Sequence, residues 1–187
     1  MGGILSDISI ADNGSMKLYH GIKQEDYLIH QRDLLLEMGI RCNDINYYNK
    51  TALESSSGFA KNDIYFSTEP KAIDKSIFYD INNRKYIPLD LNLTSEVAAY
   101  WYMGDGGISS GNTSAGMKIS MPSLTNDITR VFISDQFKAN LGINTSYHKQ
   151  NGTKSILYIG VKKGNAQLFC DLIRPHIIPL FKYKLPL

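Results

Sequence analysis

Apolar residues along the chain fall into short blocks whose spacing alternates between the period of a strand and that of a helix. Two alternating segments flank residues 13–15, where Asn-Gly-Ser reads as a hairpin turn. Residues 23–39 place Tyr27, Leu28, Leu34, Leu35 and Met38 at helical spacing, with Gly39 as a C-terminal stop. Residues 42–48 and 62–68 read as two strands, and residues 69–81, with Pro70 near the start, as a second helix. Thr94 precedes an apolar run with Glu96 in its first turn, which predicts a capped helix from about 95 to 104. The order then recurs. A hairpin over 106–121 has a Gly/Ser/Asn-rich turn, and a helix over 124–142 is capped at Thr125 and closed at Gly142. Strands over 143–149 and 153–162 surround an Asn-Gly turn at 151–152, and a final helix over 165–177 is broken by Pro175.

The chain thus runs twice through short helix, hairpin, helix, two strands, helix. The first copy opens with MGGILSDISI and the second with AAYWYMGDGGIS, which aligns Asp7 with Asp105, 98 residues apart. Each copy also ends with a lysine shortly before a proline, Lys85 in RKYIP (84–88) and Lys184 in YKLPL (183–187). The division this predicts is 1–93 and 94–187.

Two such halves can pack about a pseudo-twofold axis along their opening helices. There Gly2, Gly3 and Ser6 on one side and Ala98, Ala99 and Gly104 on the other let the backbones approach. That packing is expected to set Asp7 beside Asp105. Adjacent carboxylates repel each other, and a divalent cation removes the penalty. Paired carboxylates that hold hard cations with water suit phosphodiester hydrolysis, with a lysine near each to hold water or offset phosphate charge.

The strands carry a second chemistry. Residues 153–162 alternate Ser155, Leu157, Ile159 and Val161 with Lys154, Tyr158 and Lys162, and residues 16–23 set Lys17, Tyr19 and Lys23 on one face. A ribbon with an apolar back and a Lys/Tyr front fits a DNA major groove. Lys118, in the second hairpin, joins this candidate DNA-binding set.

Composition narrows the class. With 187 residues and 43% apolar content the chain can bury a sizeable core. No apolar run approaches the roughly 20 residues of a membrane span, so no membrane partner is expected, and the start carries no secretory pattern. The only cysteines, Cys42 and Cys170, lack metal-ligand spacing, and so do the four histidines; neither a disulfide nor a zinc site is expected, and the compartment is read as reducing. A net charge of +2 does not by itself point to nucleic acid, so that reading rests on how the charge is arranged. Fifteen lysines against five arginines, with abundant Asn, Ile and Tyr, fit an AT-rich coding sequence such as those of organelles and phages.

The stretch LTSEVAAYWYMGDGG resembles the second signature motif of the two-motif, single-chain, intron-encoded LAGLIDADG homing endonucleases, and MGGILSDISI resembles the first. RKYIPLDL is similar to the segment before the second motif, and LIRPHIIPLFKYKLP to the C-terminal signature. The resemblance spans essentially the whole chain. It implies an α+β fold of two pseudo-symmetric αββαββα halves that form a DNA-binding saddle. It also implies Mg²⁺-dependent cutting of both strands of a long duplex site by a monomer. It makes Asp7 and Asp105 the metal-binding acids and Lys85 and Lys184 the active-site lysines. The alternative is a protein of the same fold turned to RNA, an intron maturase or a structural component of an organellar ribonucleoprotein, without cleavage. The expected location is a mitochondrial or other organellar matrix, or else phage-infected bacterial cytoplasm.

Overall fold

In a computed structural model, residues 1–49, 62–109, 116–122, 125–150 and 154–185 are described. The chain forms two compact units, one of Asp7–Lys75 and one of Met1–Ser6 with Ser76–Leu187. The boundary at 93/94 marks the sequence repeat, which is a different division of the chain. The Asn-Gly turn at 151–152 and the turn within 110–115 lie outside the described residues.

Within Asp7–Lys75, strands β1 (Ser9–Ile10) and β2 (Met16–Gly21) form the expected hairpin. Its turn holds Gly14 at φ +77°, and Asn13 Oδ1 accepts from the Ser15 amide at 3.0 Å. Helix α2 (Glu25–Glu37) follows, then β3 (Asn46–Asn49) and β4 (Asn62–Ser67), in the antiparallel order β1-β2-β4-β3. Helix α2 packs on the β2/β4 face and buries Tyr27, Leu28, Gln31 and Leu35 there, against Leu18, His20, Ile64 and Phe66. Gly39 ends the helix at φ +78°. Its amide and that of Ile40 reach back to the carbonyls of Leu36 and Leu35, both at 2.9 Å, the pattern of a Schellman cap. Met38 is 72% exposed rather than part of the apolar stripe. The position the pattern missed is Gln31, buried because its Oε1 pairs with Nε2 of buried His20 at 2.9 Å.

The helix expected over 69–81 does not form; a 3-10 turn at Lys75–Ile77 is all that remains. The Lys71 amide donates to Asn13 O at 2.8 Å and that of Ile73 to Gly14 O at 3.2 Å, while Lys71 itself sits at φ +62°. Donors that would start a helix are committed instead to the β1–β2 turn.

Within the other unit, α1 (Gly2–Leu5) packs on α3 (Ser95–Asp105). Thr94 caps α3 as expected, its hydroxyl oxygen accepting from the Val97 amide at 3.2 Å. Strands β5 (Gly106–Ser109), β6 (Gly116–Ser120), β7 (Ser146–Gln150) and β8 (Lys154–Gly160) take the order β5-β6-β8-β7, the same as the first sheet. Helix α4 (Asp127–Leu141) closes at Gly142, φ +70°, but its cap is Asn126, whose Oδ1 accepts from the Thr129 amide at 2.9 Å. Thr125, the expected cap, instead donates its hydroxyl to Pro122 O at 2.6 Å. Helix α5 (Asn165–Ile173) gives way to a 3-10 turn at Arg174–His176 that carries Pro175, and a 3-10 segment, Pro179–Lys184, follows. The core gathers Trp101, Tyr102, Met117, Ile119, Ile133, Phe137, Leu157, Ile159, Phe169 and Phe181, all buried.

The small residues of the opening helix do what their size implies. A Cβ at Gly2 would lie 2.2 Å from Val97 O and 2.8 Å from Tyr100 Cβ, and Ala98 and Ala99 on α3 are fully buried. Gly2→Ala is expected to cost about 2 kcal/mol of overpacking, a fall in Tm of roughly 4–8 °C. An unchanged thermal melt would contradict this close packing.

Candidate functional site

Asp105 is the last residue of α3 and is half-buried. Carboxylates are disfavoured at helix C-termini, where the backbone dipole presents its negative end. The local structure answers with a cation. The Lys184 ammonium donates to Met103 O at 2.6 Å and reaches Gly104 O at 3.5 Å, at the carbonyls of the same turn. It also lies 5.1 Å from the centre of the Phe181 ring.

The glycines after the acid differ in purpose. Gly106 ends the helix by turning to extended backbone, and its amide bonds to Tyr102 O. A Cβ there would fall 2.1 Å from Tyr102 Cδ2 and 2.3 Å from Tyr102 O, so no larger residue fits. At Gly107 a Cβ would meet Lys118 Cε at 3.6 Å, an ordinary contact, so that position is not fixed by space. The strand thus leaves the acid directly, with Tyr102 packed beneath the turn.

The first copy repeats this device. The Lys85 ammonium donates to Ser6 O at 2.9 Å, and Ser6 stands where the repeat puts Gly104. Lys85 also lies 5.8 Å from the centre of the Tyr79 ring, matching Lys184 over Phe181. A tight reversal presents it: Tyr79 bridges Lys85, the Tyr86 amide donates to Phe78 O at 2.8 Å, and Asp80 Oδ1 accepts from the amides of Asn82 and Arg84. Each lysine is therefore tied to a carbonyl within two residues before its acid, Lys85 to Ser6 O and Lys184 chiefly to Met103 O, although the two segments that deliver them differ, a bridged reversal and a 3-10 turn. Asp7, half-buried, opens the unit Asp7–Lys75.

Among the described residues, each sheet keeps one face clear of its helices. On the first, Lys17 pairs with Ser9 and Ser67, and Tyr19 with Tyr65, which pairs with Asn46. The Tyr19 and Tyr65 rings stack at 5.2 Å and 22°. On the second, Lys118 pairs with Gly107 and Tyr158, and Tyr158 with Ser146; His148 meets the Tyr158 ring edge-on at 5.2 Å. Lys17, Tyr19, Lys118 and Tyr158 are thus on the open faces as expected. Two of the expected set are not on strands. Lys23 lies in a 3-10 turn, Ile22–Gln24, and Lys162 in another, Lys162–Gly164, because both strands end at a glycine, Gly21 and Gly160. Val161, expected on the apolar side, is 54% exposed for the same reason. Lys154 opens β8, and its side chain is outside the described ones. Sequence reasoning missed Tyr65, Ser67 and Asn46. The alternation of Ile64 and Phe66 with Asp63, Tyr65 and Ser67 was the available signal.

Among the described residues, no group of three or more His, Cys, Asp or Glu side chains is gathered to hold a metal, so no all-protein cage exists there. A hard cation that keeps waters and takes phosphate oxygens needs only one or two carboxylates. Half-buried acids beside main-chain carbonyls are oxygen donors of that kind, and Asp105 fits. Cys42 and Cys170 are free thiols, both raised above the usual range by burial, and Cys170 packs against the Met117 sulfur at 3.3 Å.

Comparison with known proteins agrees with this fold. The model of the LAGLIDADG DNA endonuclease family matches residues 1–168. The chain is 35% identical over 125 residues to the "Probable intron-encoded endonuclease 1" of Wickerhamomyces canadensis, a match covering 63% of this chain. It spans about half of that relative, 52%. Among solved structures, the homing endonuclease I-WcaI bound to its DNA recognition sequence superposes with a TM-score of 0.79 at 25% identity, over 99% of this chain and 83% of that one. The LAGLIDADG homing endonuclease I-GzeII, in complex with its DNA target, shares the fold with a TM-score of 0.54 at 10% identity, over 96% of this chain and 81% of that one.

Proposed function

Because the chain belongs to the LAGLIDADG DNA endonuclease family, we propose that it is a site-specific endonuclease that binds a long duplex and cuts both strands with divalent metal held at Asp7 and Asp105. The observation that carries this reading is the matched tie of Lys85 to Ser6 O and of Lys184 to the carbonyls of Met103 and Gly104. A binding protein has no use for two lysines each tied to main-chain carbonyls just before an acid in the sequence. The RNA-binding alternative leaves that match without a purpose.

In this reading Asp7 and Asp105 would hold Mg²⁺, which when bound would stabilise charge on the attacking and leaving oxygens of the phosphodiester. Lys85 and Lys184, tied to main-chain carbonyls, would set their positive charge against water or phosphate oxygens. The two sheets supply binding. Their open faces put Lys17, Tyr19, Lys118 and Tyr158 on the duplex, with Lys23 and Lys162 near strand ends in reach of the backbone. One chain carries both copies of acid and lysine, so a monomer of halves 1–93 and 94–187 suffices. The proposed compartment is an organellar matrix, in keeping with the Lys-, Asn- and Ile-rich composition.

The sheet assignment is tested by Lys118→Ala. Duplex affinity is expected to fall about fivefold and the slope of log affinity against log salt to shrink by about 1, the mark of one lost phosphate contact. An unchanged slope and affinity would remove the second sheet from the interface.

A further inference from the structure

Tyr102 is fully buried, yet its ring does more than fill the core. Its hydroxyl donates to the main-chain carbonyl of Lys184 at 2.7 Å. The ring is wedged where Gly106 has no side chain, with Phe169 set edge-on at 5.7 Å and 83°. The Lys184 ammonium in turn donates to Met103 O and reaches Gly104 O. Lys184 is therefore tied to the last turn of α3 at both ends, by its carbonyl to residue 102 and by its ammonium to residues 103 and 104. Burial pushes the Tyr102 phenol above its usual range, so the hydroxyl keeps its proton at any working pH. The repeat places Ile4 where the second copy has Tyr102, and Ile4 has no hydroxyl to donate.

We infer that Tyr102 is a positioning residue for Lys184, so that cutting by the second copy depends on the Tyr102 hydroxyl and cutting by the first does not. This rests on the proposed nuclease function. The physical basis is geometric. A lysine has four rotatable side-chain bonds, and its ammonium is only as well placed as the backbone that carries it. Fixing that backbone to the helix that ends in Asp105 fixes acid and ammonium in one frame. The first acid and lysine of this chain receive no such hydroxyl from the corresponding position, Ile4, so the two copies are not equivalent in how they are held.

The test is cleavage of supercoiled plasmid carrying the protein's target site. With Tyr102→Phe, conversion of nicked to linear DNA is expected to slow about tenfold, with the accumulated nick in one and the same strand and duplex affinity unchanged. In the Lys184→Ala background the same change is expected to add nothing, because Tyr102 acts through Lys184. Tyr147→Phe is the control. It removes another tyrosine hydroxyl, half-buried and donated to Arg130 O at 2.9 Å, with a similar stability loss and no strand bias. Equal slowing of both strands, multiplied effects in the double variant, or the same bias in Tyr147→Phe would overturn the inference while leaving the nuclease reading intact. Wild-type protein that cuts no duplex would overturn the nuclease reading and, with it, this role.

Discussion

Asp105→Asn is expected to lower the rate of strand cleavage by about a thousandfold, equal to about 4 kcal/mol, and to leave duplex affinity within about twofold. Asparagine keeps the size and one oxygen of the side chain but loses the charge that would hold a cation. Asparagine is close to isosteric, and a carboxylate at the end of α3 opposes the helix dipole, so the fold is expected to be kept and the melting temperature to stay within a few degrees of wild type. Cleavage that survives intact in a protein that still binds would show that Asp105 holds no metal.

Lys184→Ala is expected to lower cleavage about a hundredfold with little change in affinity. Lys184 is half-buried and its ammonium spends donors on Met103 O and Gly104 O, so it is fixed at the last turn of the helix that ends in Asp105. An interaction made mainly in the transition state appears in the rate and not in the binding constant. A loss of affinity as large as the loss of rate would make Lys184 a phosphate anchor instead. The carbonyls it leaves at the end of α3 are at a helix terminus, where water can replace it, which limits the stability cost.

These residues were legible because the chain says the same thing twice. Asp7 and Asp105 align on the repeat, each lysine stands shortly before a proline, and the structure returns a shared strand order and a lysine-to-carbonyl tie in each copy. Local signals were legible too: Thr94 as a cap, and Gly39 and Gly142 as stops at positive φ. What sequence hid was set by distant partners. Residues 69–81 have a helix's composition, but the amides of Lys71 and Ile73 are taken by a turn nearly sixty residues earlier in the chain. Gln31 reads as a solvated position and is buried because His20 meets it from the facing strand. The stack of Tyr19 on Tyr65 needed the β2–β4 register, which no local pattern contains. Tyr102 looked like packing and is packing, and only its distance to the Lys184 carbonyl shows the second role.

The central claim is that this chain cuts duplex DNA at a defined site through its two acids. Incubation with a randomised duplex library and Mg²⁺, followed by sequencing of newly formed ends, tests it most directly. The expected result is ends clustered in one long motif with a short 3′ overhang, absent in EDTA and absent with Asp105→Asn. Folded protein that binds DNA or RNA yet forms no new ends, or forms them equally without metal, would contradict it.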